Sequence, residues 1–465
     1  MGWFSWIKDI PIIGDVIEWV EEEIIDPIVE FFNPEPIEPD TVKHEEPSFA
    51  AQGSQGVLVQ RRGTNTSIPV IYGKTLTGAT RVFIKSSGTD NVDLHMALVL
   101  CEGEIKSCTK IYFDDVLAAT NDNSSGDSDS WTIQSPWSSH VTVKFRAGTE
   151  NQSAISDLSN SSIMGGDPRF RGLAYLYIKL NYDPDGEVWK QGLPNMTFEV
   201  EGKKVPSTSD GTSLSYSDNP ANCILDYLTN TRYGKGIPVS QIDLPSFASA
   251  ESHFSTSGVD FHCRGNLKTG INMYDNLIDL VSCCNSTVAL GDKYHIIPRK
   301  VSSSVMTLDS SNTVGNVTYT LANKANLLNS FKIKFMDEDT EYKDNIKIIE
   351  NATLKTQDNG ILLQRELYLP FTKTTTIAQR LATHRLNQSR QSHTISLTAS
   401  IEAIKLSVGD VVAVTNETFG ITEKLFRVLE TRVRPTNEVE LSLQEYDSGV
   451  YSDSIITDAR DDDND

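Results

Sequence analysis

Residues 94–115 read LHMALVLCEGEIKSCTKIYFDD, and the way this stretch divides sets the fold class. Leu94 to Leu100 is an apolar run of strand length, broken by Cys101-Glu102-Gly103-Glu104. Ile111-Tyr112-Phe113 is β-branched and aromatic and meets Asp114-Asp115, so it reads as a strand running into a turn. Working outward, the same texture begins near residue 49. Val57-Leu58-Val59, Ile68-Pro69-Val70-Ile71-Tyr72-Gly73 and Arg81-Val82-Phe83-Ile84 are strand candidates separated by Gly, Ser and Asn. Leu173 to Leu180 and Met196 to Val200 resume it, while 119–135 and 148–168, rich in Ser, Asn, Asp and Gly, read as loops or an excursion from the sheet.

A second texture spans 216–316. Ala221, Ile224, Leu225 and Leu228 lie on one helical face, with Asp218 or Asn219 as the cap and Pro220 in the first turn. Residues 271–284 repeat the pattern through Ile271, Leu277, Leu280 and Val281. Thr287 to Leu290 and Tyr294 to Ile297 flank Gly291-Asp292 and form a hairpin pattern. Beyond 317 come strand candidates at Val317 to Leu321 and Ser330 to Phe335, and a helix over 373–390 with Ile377, Leu381, His384 and Gln388 on a turn-by-turn face. Four closing strands are expected at Thr394 to Ser400, Val411 to Val414, Lys424 to Glu430 and Val439 to Gln444. The expected fold class is α+β and predominantly β, in several domains, as 465 residues at about 100–200 per domain require.

The ends differ from the body. The chain carries 41 Lys plus Arg against 63 Asp plus Glu, a net charge of -22. Residues 1–48 hold -11 of this and residues 453–465 hold -5, which leaves the 404 residues between them only mildly acidic. That balance argues against binding to a phosphate backbone, which needs Lys and Arg to release counterions. In the first 31 residues, Trp3, Trp6, Ile10, Ile13, Ile17, Val20, Ile24, Ile28 and Phe31 recur at steps of three and four, an apolar stripe on an amphipathic helical arm with acids opposite. Pro11, Gly14 and Pro27 divide it into short helices, and Asn33-Pro34, Pro36, Pro39 and Pro47 follow as a stiff linker. Such a stripe needs a partner: its own copies, another protein, or lipid. Eight acids and no base in residues 9–30 favour protein over an anionic lipid surface. The start has no basic n-region, so it does not read as a secretory signal, and no window is long and apolar enough to be a membrane span.

Candidate chemistry is sparse. Six cysteines (Cys101, Cys108, Cys223, Cys263, Cys283, Cys284) are too few for a disulfide scaffold and contain no C-x-x-C pair. With His253 and His262 they match no zinc spacing and read as buried thiols. Asp337-x-Asp339-x-Glu341 lacks the glycine hinge of a calcium loop and reads as a solvated turn. Asp114 and Asp115, adjacent on a strand, point to opposite faces and do not converge as an acid–base pair. No G-x-x-x-x-G-K-[ST], H-E-x-x-H or G-x-S-x-G is present. No catalytic residue, metal ligand or cofactor is assigned, and the expectation is that the chain is not an enzyme.

Over 49–452 the order of several blocks resembles the bacteriophage tail tip attachment and baseplate hub family, which includes the hub region of lambda's J protein. The blocks are Ile68 to Gly73; Leu98 to Glu104 with Ile111 to Asp115; Asn219-Pro220-Ala221 with Asp226-Tyr227-Leu228 and Arg232-Tyr233-Gly234-x-Gly236-Ile237; and Lys334 to Asp337. Ala378 to Leu386, Leu406-x-x-Gly409-Asp410-Val411-Val412, Phe426-Arg427-Val428 and Glu445-Tyr446-Asp447 to Tyr451 complete the series. The resemblance implies two barrel-like, tube-related domains and a homotrimer at the distal end of a tail tube. It also implies a distal tail protein, a tape-measure protein and fibre or spike proteins as partners. Phage DNA would pass through the lumen without sequence-specific binding, and the site of action would be the virion tail tip, assembled in the host cytoplasm. The expected division is an arm and linker over 1–48, a first β domain over 49–215 with a loop-rich insertion near 119–172, an α/β middle domain over 216–316, a C-terminal barrel-like domain with one helix over 317–452, and a disordered acidic tail over 453–465. The chain ends soon after the hub pattern, so receptor contact is expected on other proteins. A carbohydrate-binding β protein of the tail, suggested by Trp131, Trp137 and Trp189 near loops, and a cell-wall-cleaving tail enzyme are the alternatives.

Overall fold

A computed structural model of the protein describes residues 67–89, 92–183, 188–189, 192–321, 327–391, 393–451, 456 and 459–461. The arm stripe from Trp3 to Phe31 and the strand candidate Val57 to Val59 lie outside the described residues. The chain forms two compact units that interleave along the sequence. Ser303–Asn329 and Leu386–Asp447 build the smaller one, and the rest of the described chain builds the larger. Ser330–Arg385, expected within a continuous C-terminal domain, therefore lies in the larger unit.

In the larger unit, the stretch quoted at the outset supplies the central strand of each of two antiparallel sheets. Asp93–Glu102 pairs with Thr80–Ser87 on one side and Leu173–Asn181 on the other, and Val141–Arg146 completes a four-stranded sheet. Ile105–Phe113 sits in a six-stranded sheet between Val116–Asn121 and Met196–Pro206, the latter also pairing with Lys74–Thr77 and Leu214–Tyr216. Side chains alternate along a strand, so Met96, Leu98 and Leu100 point into a core shared with Ile105, Ile111, Phe113, Phe198 and Val200 of the second sheet. Ala97 and Val99 point the other way and pack with Tyr175 and Tyr177 against Ile155, Leu158 and Ile163. Asp93–Glu102 is thus buried on both faces, which is why it reads as an unbroken apolar run.

The expected loop-rich insertion is only partly loop. Trp131–Ile133 and Val141–Arg146 inside it are sheet strands. The first is too short to stand out among its Ser and Asp neighbours. The remainder, 147–172, is an ordered cover over the four-stranded sheet, pinned by buried Gln152. Its Oε1 accepts from Gly148 N at 2.9 Å, and its Nε2 donates to Arg169 O at 2.8 Å and Phe170 O at 2.7 Å.

Helices Pro220–Thr229, Leu244–Phe254 and Met273–Ser282 follow in the larger unit, with the hairpin Ser286–Leu290/Tyr294–Pro298 as read from sequence. Ser330–Asp337 then pairs antiparallel with Lys343–Glu350 and parallel with Gln364–Tyr368. Within the stretch expected to be a disordered acidic tail, Ala459–Asp461 forms a short strand on Lys343–Glu350. An open sheet edge offers backbone donors and acceptors to an extended chain whatever its charge, which composition does not reveal.

The smaller unit is one six-stranded sheet in the order Ser304–Leu308, Val411–Asn416, Ile421–Val433, Glu438–Glu445, Thr394–Ser400, Thr313–Thr320. Its first and last strands are consecutive in the chain, joined by residues 309–312. That link spans at most about 18 Å, whereas the edges of a flat six-stranded sheet stand roughly 24 Å apart. The sheet must therefore curl. Alternate residues of the strands, among them Leu308, Leu397, Val412, Phe426 and Leu441, fill the concave side as one core. The curl stops short of closure: no sheet among the described residues closes into a barrel, which corrects the two barrel-like domains expected. Among the described residues Ser304–Leu308 and Thr313–Thr320 pair only with their inner neighbours, and a register shift between Val314 and Thr318 bends the latter.

Gly202 shows how tightly the larger unit is built. A Cβ there would lie 2.4 Å from Ile71 O and 2.9 Å from Gly73 O, both backbone atoms. Gly202→Ala is expected to lower the stability of the larger unit by about 1–3 kcal/mol or more, measured by calorimetric melting. Gly291→Ala, where the added Cβ meets its nearest atom at 3.6 Å, is the matched control and should melt as the parent does.

Candidate functional site

Three of the family-like blocks, those containing Tyr72, Asp226 and Tyr233, meet at a polar centre inside the larger unit. Helix Pro220–Thr229 is its scaffold. Asn219 caps it, its Oδ1 accepting from Ala221 N at 2.9 Å, and Pro220 occupies the first turn. Residues 220–228 are all buried, so the one carboxylate among them, Asp226, sits where water does not reach. Tyr72 Oη donates to Asp226 Oδ2 at 2.7 Å, and Tyr233 Oη donates to the same oxygen at 2.6 Å. Burial pushes the Asp226 carboxyl above its ordinary value, while the Lys203 ammonium and the two tyrosine hydrogen bonds pull it down. Lys203, itself buried, stands 5.5 Å from the centre of the Tyr233 ring.

The Arg232 to Ile237 block closes the end of that helix. Asn230 N donates to Asp226 O at 2.9 Å, Lys235 N to Tyr227 O at 2.9 Å and Ile237 N to Leu228 O at 2.8 Å, satisfying carbonyls a helix end leaves free. Gly234 passes so close that a Cβ would lie 2.0 Å from Tyr227 O, which accounts for glycine there. This wrap delivers Tyr233 to Asp226.

A second, partly exposed cluster lies at the helix entrance. Asp218 Oδ2 is 2.9 Å from Arg264 Nε and 3.1 Å from His262 Nδ1, and Arg264 Nη1 is 3.0 Å from Glu338 Oε2. Burial by itself would raise Asp218; His262 and Arg264 outweigh it and hold the carboxyl at about 2. Reciprocally, Asp218 holds His262 above its ordinary value against burial and Arg264.

The other candidates fall into place around these. Asp337 is not in a solvated turn: it is buried, accepts from Asp339 N at 3.2 Å, and its Oδ2 accepts from Asn345 Nδ2 and Thr375 Oγ1, each at 2.9 Å. Its side-chain oxygens are committed to protein donors, and it serves as a cap holding Ser330–Asp337 to the chain around Thr375. Asp114 and Asp115 are the two left-handed residues of a hairpin turn, and Asp114 Oδ1 accepts from Asn195 N at 2.9 Å. All six cysteines are free and buried, in agreement with the thiol reading. Among the described residues no group of three or more His, Cys, Asp or Glu is placed to hold a metal ion, and no helix is long and apolar enough to cross a membrane.

Trp131, Trp137 and Trp189 are partly buried and pack onto the sandwich core, the last two against Phe113 at ring distances of 5.5 and 6.2 Å. Sequence reading singled out neither Asp226 nor Lys203 as a buried charge. The available signal was one acid inside an otherwise uncharged helix, PANCILDYLT.

The polar centre contains neither a nucleophile activated by a base nor a cluster of metal ligands; its geometry fastens segments together. Residues 273–431 match the family described as putative phage tail protein. The chain is 26% identical over 292 residues to baseplate hub protein pb3 of Escherichia phage T5, a match covering 56% of this chain and 31% of that relative. A chain in the virion structure of the native gene transfer agent particle shares the fold, with a TM-score of 0.58 at 16% identity, over 87% of this chain and 89% of that one. The resemblance to phage tail and baseplate hub proteins read from the sequence is borne out.

The Asp218–His262 pair predicts a pH signature. A histidine raised above its ordinary 6.5 contributes stability that is fully present below that value and lost as pH rises through the higher folded value. Replacing His262 with Gln should cost on the order of 1 kcal/mol or less near pH 6, a partly exposed pair being screened by solvent, and the gap should close as pH rises through the raised folded value. Because burial lowers His95 and His253, which act in the opposite direction, the quantity to read is the difference between parent and variant melting at each pH. A gap that does not change with pH would refute the pairing.

Proposed function

We propose that this relative of phage baseplate hub proteins is a structural, non-enzymatic hub at the distal tip of a bacteriophage tail. The observation that carries the reading is the likeness to hub protein pb3 over 292 residues. The fold shared with a chain of the gene transfer agent virion supports it, as does an interior built to fasten segments. Three copies would close the tail tube and adapt its six-fold symmetry to three-fold fibre or spike proteins. Above the ring would stand a distal tail protein, with the tape-measure protein and then DNA in the lumen. Opening for genome delivery would be a rearrangement between packed states of the trimer.

Exposed aliphatic side chains on strands that are sheet edges among the described residues, Val82 and Ile84 on Thr80–Ser87 and Val305 on Ser304–Leu308, suit contacts between neighbouring subunits. The arm stripe Trp3, Trp6, Ile10, Ile13, Ile17, Val20, Ile24, Ile28 and Phe31 would bundle around the three-fold axis, where acids on the opposite face remain hydrated. Light scattering of the full chain is expected to give the mass of three 51.5 kDa subunits. Removal of residues 1–48 should shift the mass towards one subunit. A monomer at high concentration of full chain contradicts the trimer. A trimer that survives the deletion contradicts the bundle and turns the arm towards the tape measure.

A further inference from the structure

Four cysteines from three segments of the larger unit line up through its interior. Cys223 lies within helix Pro220–Thr229, and Cys263 is held beside the helix entrance, where its N donates to Asp218 O at 2.7 Å. Cys283 caps the end of helix Met273–Ser282 and is followed by Cys284. The Cys263 thiol makes side-chain hydrogen bonds with Cys223 and Cys283, and Cys283 makes one with Cys284. All four are buried. Thiols are weak hydrogen-bonding groups, so an aliphatic side chain would fill these positions as well; what neighbouring sulfurs add is the capacity to be joined. Half-buried Arg385 stands beside the line: its Nη2 donates to Ser282 O at 3.2 Å, and its guanidinium interacts with both Cys283 and Cys284. As a neutral thiol Cys283 donates to Leu280 O at 3.0 Å. Burial opposes its thiolate, but hydrogen bonds from Cys263 and Cys284 outweigh burial and hold Cys283 below its ordinary value, as a nucleophilic sulfur requires.

We propose that Cys263 and Cys283 are a peroxide-sensitive pair whose disulfide locks strand Gly265–Leu267 to the end of helix Met273–Ser282. That strand pairs antiparallel with Val70–Tyr72, with Tyr72 opposite Gly265, so the lock also braces the residue that serves Asp226. In the first step the Cys283 thiolate attacks one oxygen of hydrogen peroxide; the O–O bond breaks, hydroxide leaves, and the sulfur becomes a sulfenic acid. The Cys263 sulfur then displaces the sulfenic oxygen, which departs with the Cys263 proton as water. Two thiols lose two electrons, and the peroxide takes them up to end as two waters. Peroxide is small enough to reach the pair during local opening of the helix end. Cys283 ends a helix and has Arg385 beside it, whereas Cys223 lies in mid-helix among residues that are all buried, so Cys283 is the better placed partner for Cys263. None of this depends on the hub reading.

The test treats the folded full chain with hydrogen peroxide, removes the excess with catalase, then unfolds and alkylates the protein. Free thiols should fall by two, from six to four. A digest should contain one disulfide-linked peptide pair carrying Cys263 and Cys283, lost on reduction with dithiothreitol. Calorimetric melting of the oxidised larger unit should rise by roughly 2 °C or more, because a disulfide restricts the unfolded chain, and should return on reduction. Cys263→Ala should abolish both the linked pair and the rise, while Cys108→Ala, outside the line of thiols, should keep both. The measurements on the parent decide the question where a variant does not fold. Six thiols remaining after treatment, a disulfide at other positions, oxidation that ends at sulfinic acid, or a linked chain that melts as the reduced one does would each overturn the proposal.

Discussion

The larger unit turns on a carboxyl group that has no access to water. Asp226 is enclosed by its own helix and receives two tyrosine hydroxyls on one oxygen, from residues 154 positions before it and seven after it. A buried acid is tolerable only when its lone pairs are filled, because desolvation costs more than an ordinary hydrogen bond returns. This asymmetry gives the centre its force. The pair contributes modestly to net stability, yet losing either tyrosine leaves a buried acceptor short of a partner. The two hydrogen bonds therefore tie strand Val70–Tyr72, helix Pro220–Thr229 and the wrap at 230–237 to one another.

Much else is arranged to permit that meeting. Gly202 lets the strand beneath approach Ile71, and Gly234 lets the wrap touch the helix. Asn219 fixes where the helix begins, and beside it Asp218 reaches Arg264, which in turn reaches Glu338. Tyr72, Asp218, Asp226, Tyr233 and Gly234, all from or beside the blocks that resemble the hub family, thus act as fastenings between segments.

The legible part of the fold was the part encoded locally. Thr394–Ser400 was placed to the residue because its alternation is clean, and the helix after Asn219-Pro220 announced itself by its cap. What stayed hidden depends on distant partners. The run KDNIKIIE at Lys343–Glu350, exposed or half-buried except at Ile349, has weak alternation and becomes a strand through pairing with Ser330–Asp337. Asp337 read as solvent-facing because nothing near it reveals Thr375. The return of Ser330–Arg385 to the larger unit has no local signal. Of the candidate site, Tyr72, Asp226 and Tyr233 were all visible within quoted blocks, but their meeting at one oxygen required the fold.

The most direct measurement is therefore a mutant cycle between Tyr72 and Asp226, read by calorimetric melting of the larger unit. In the parent, Tyr72→Phe should cost about 1.5–3 kcal/mol, the usual worth of a hydrogen bond to a charged or buried acid group. In an Asp226→Leu background the hydroxyl has no acceptor to serve, and the same substitution should cost nothing or stabilise slightly. An equal cost in both backgrounds would show that Tyr72 acts through packing alone and that the carboxyl is not the point on which these segments depend.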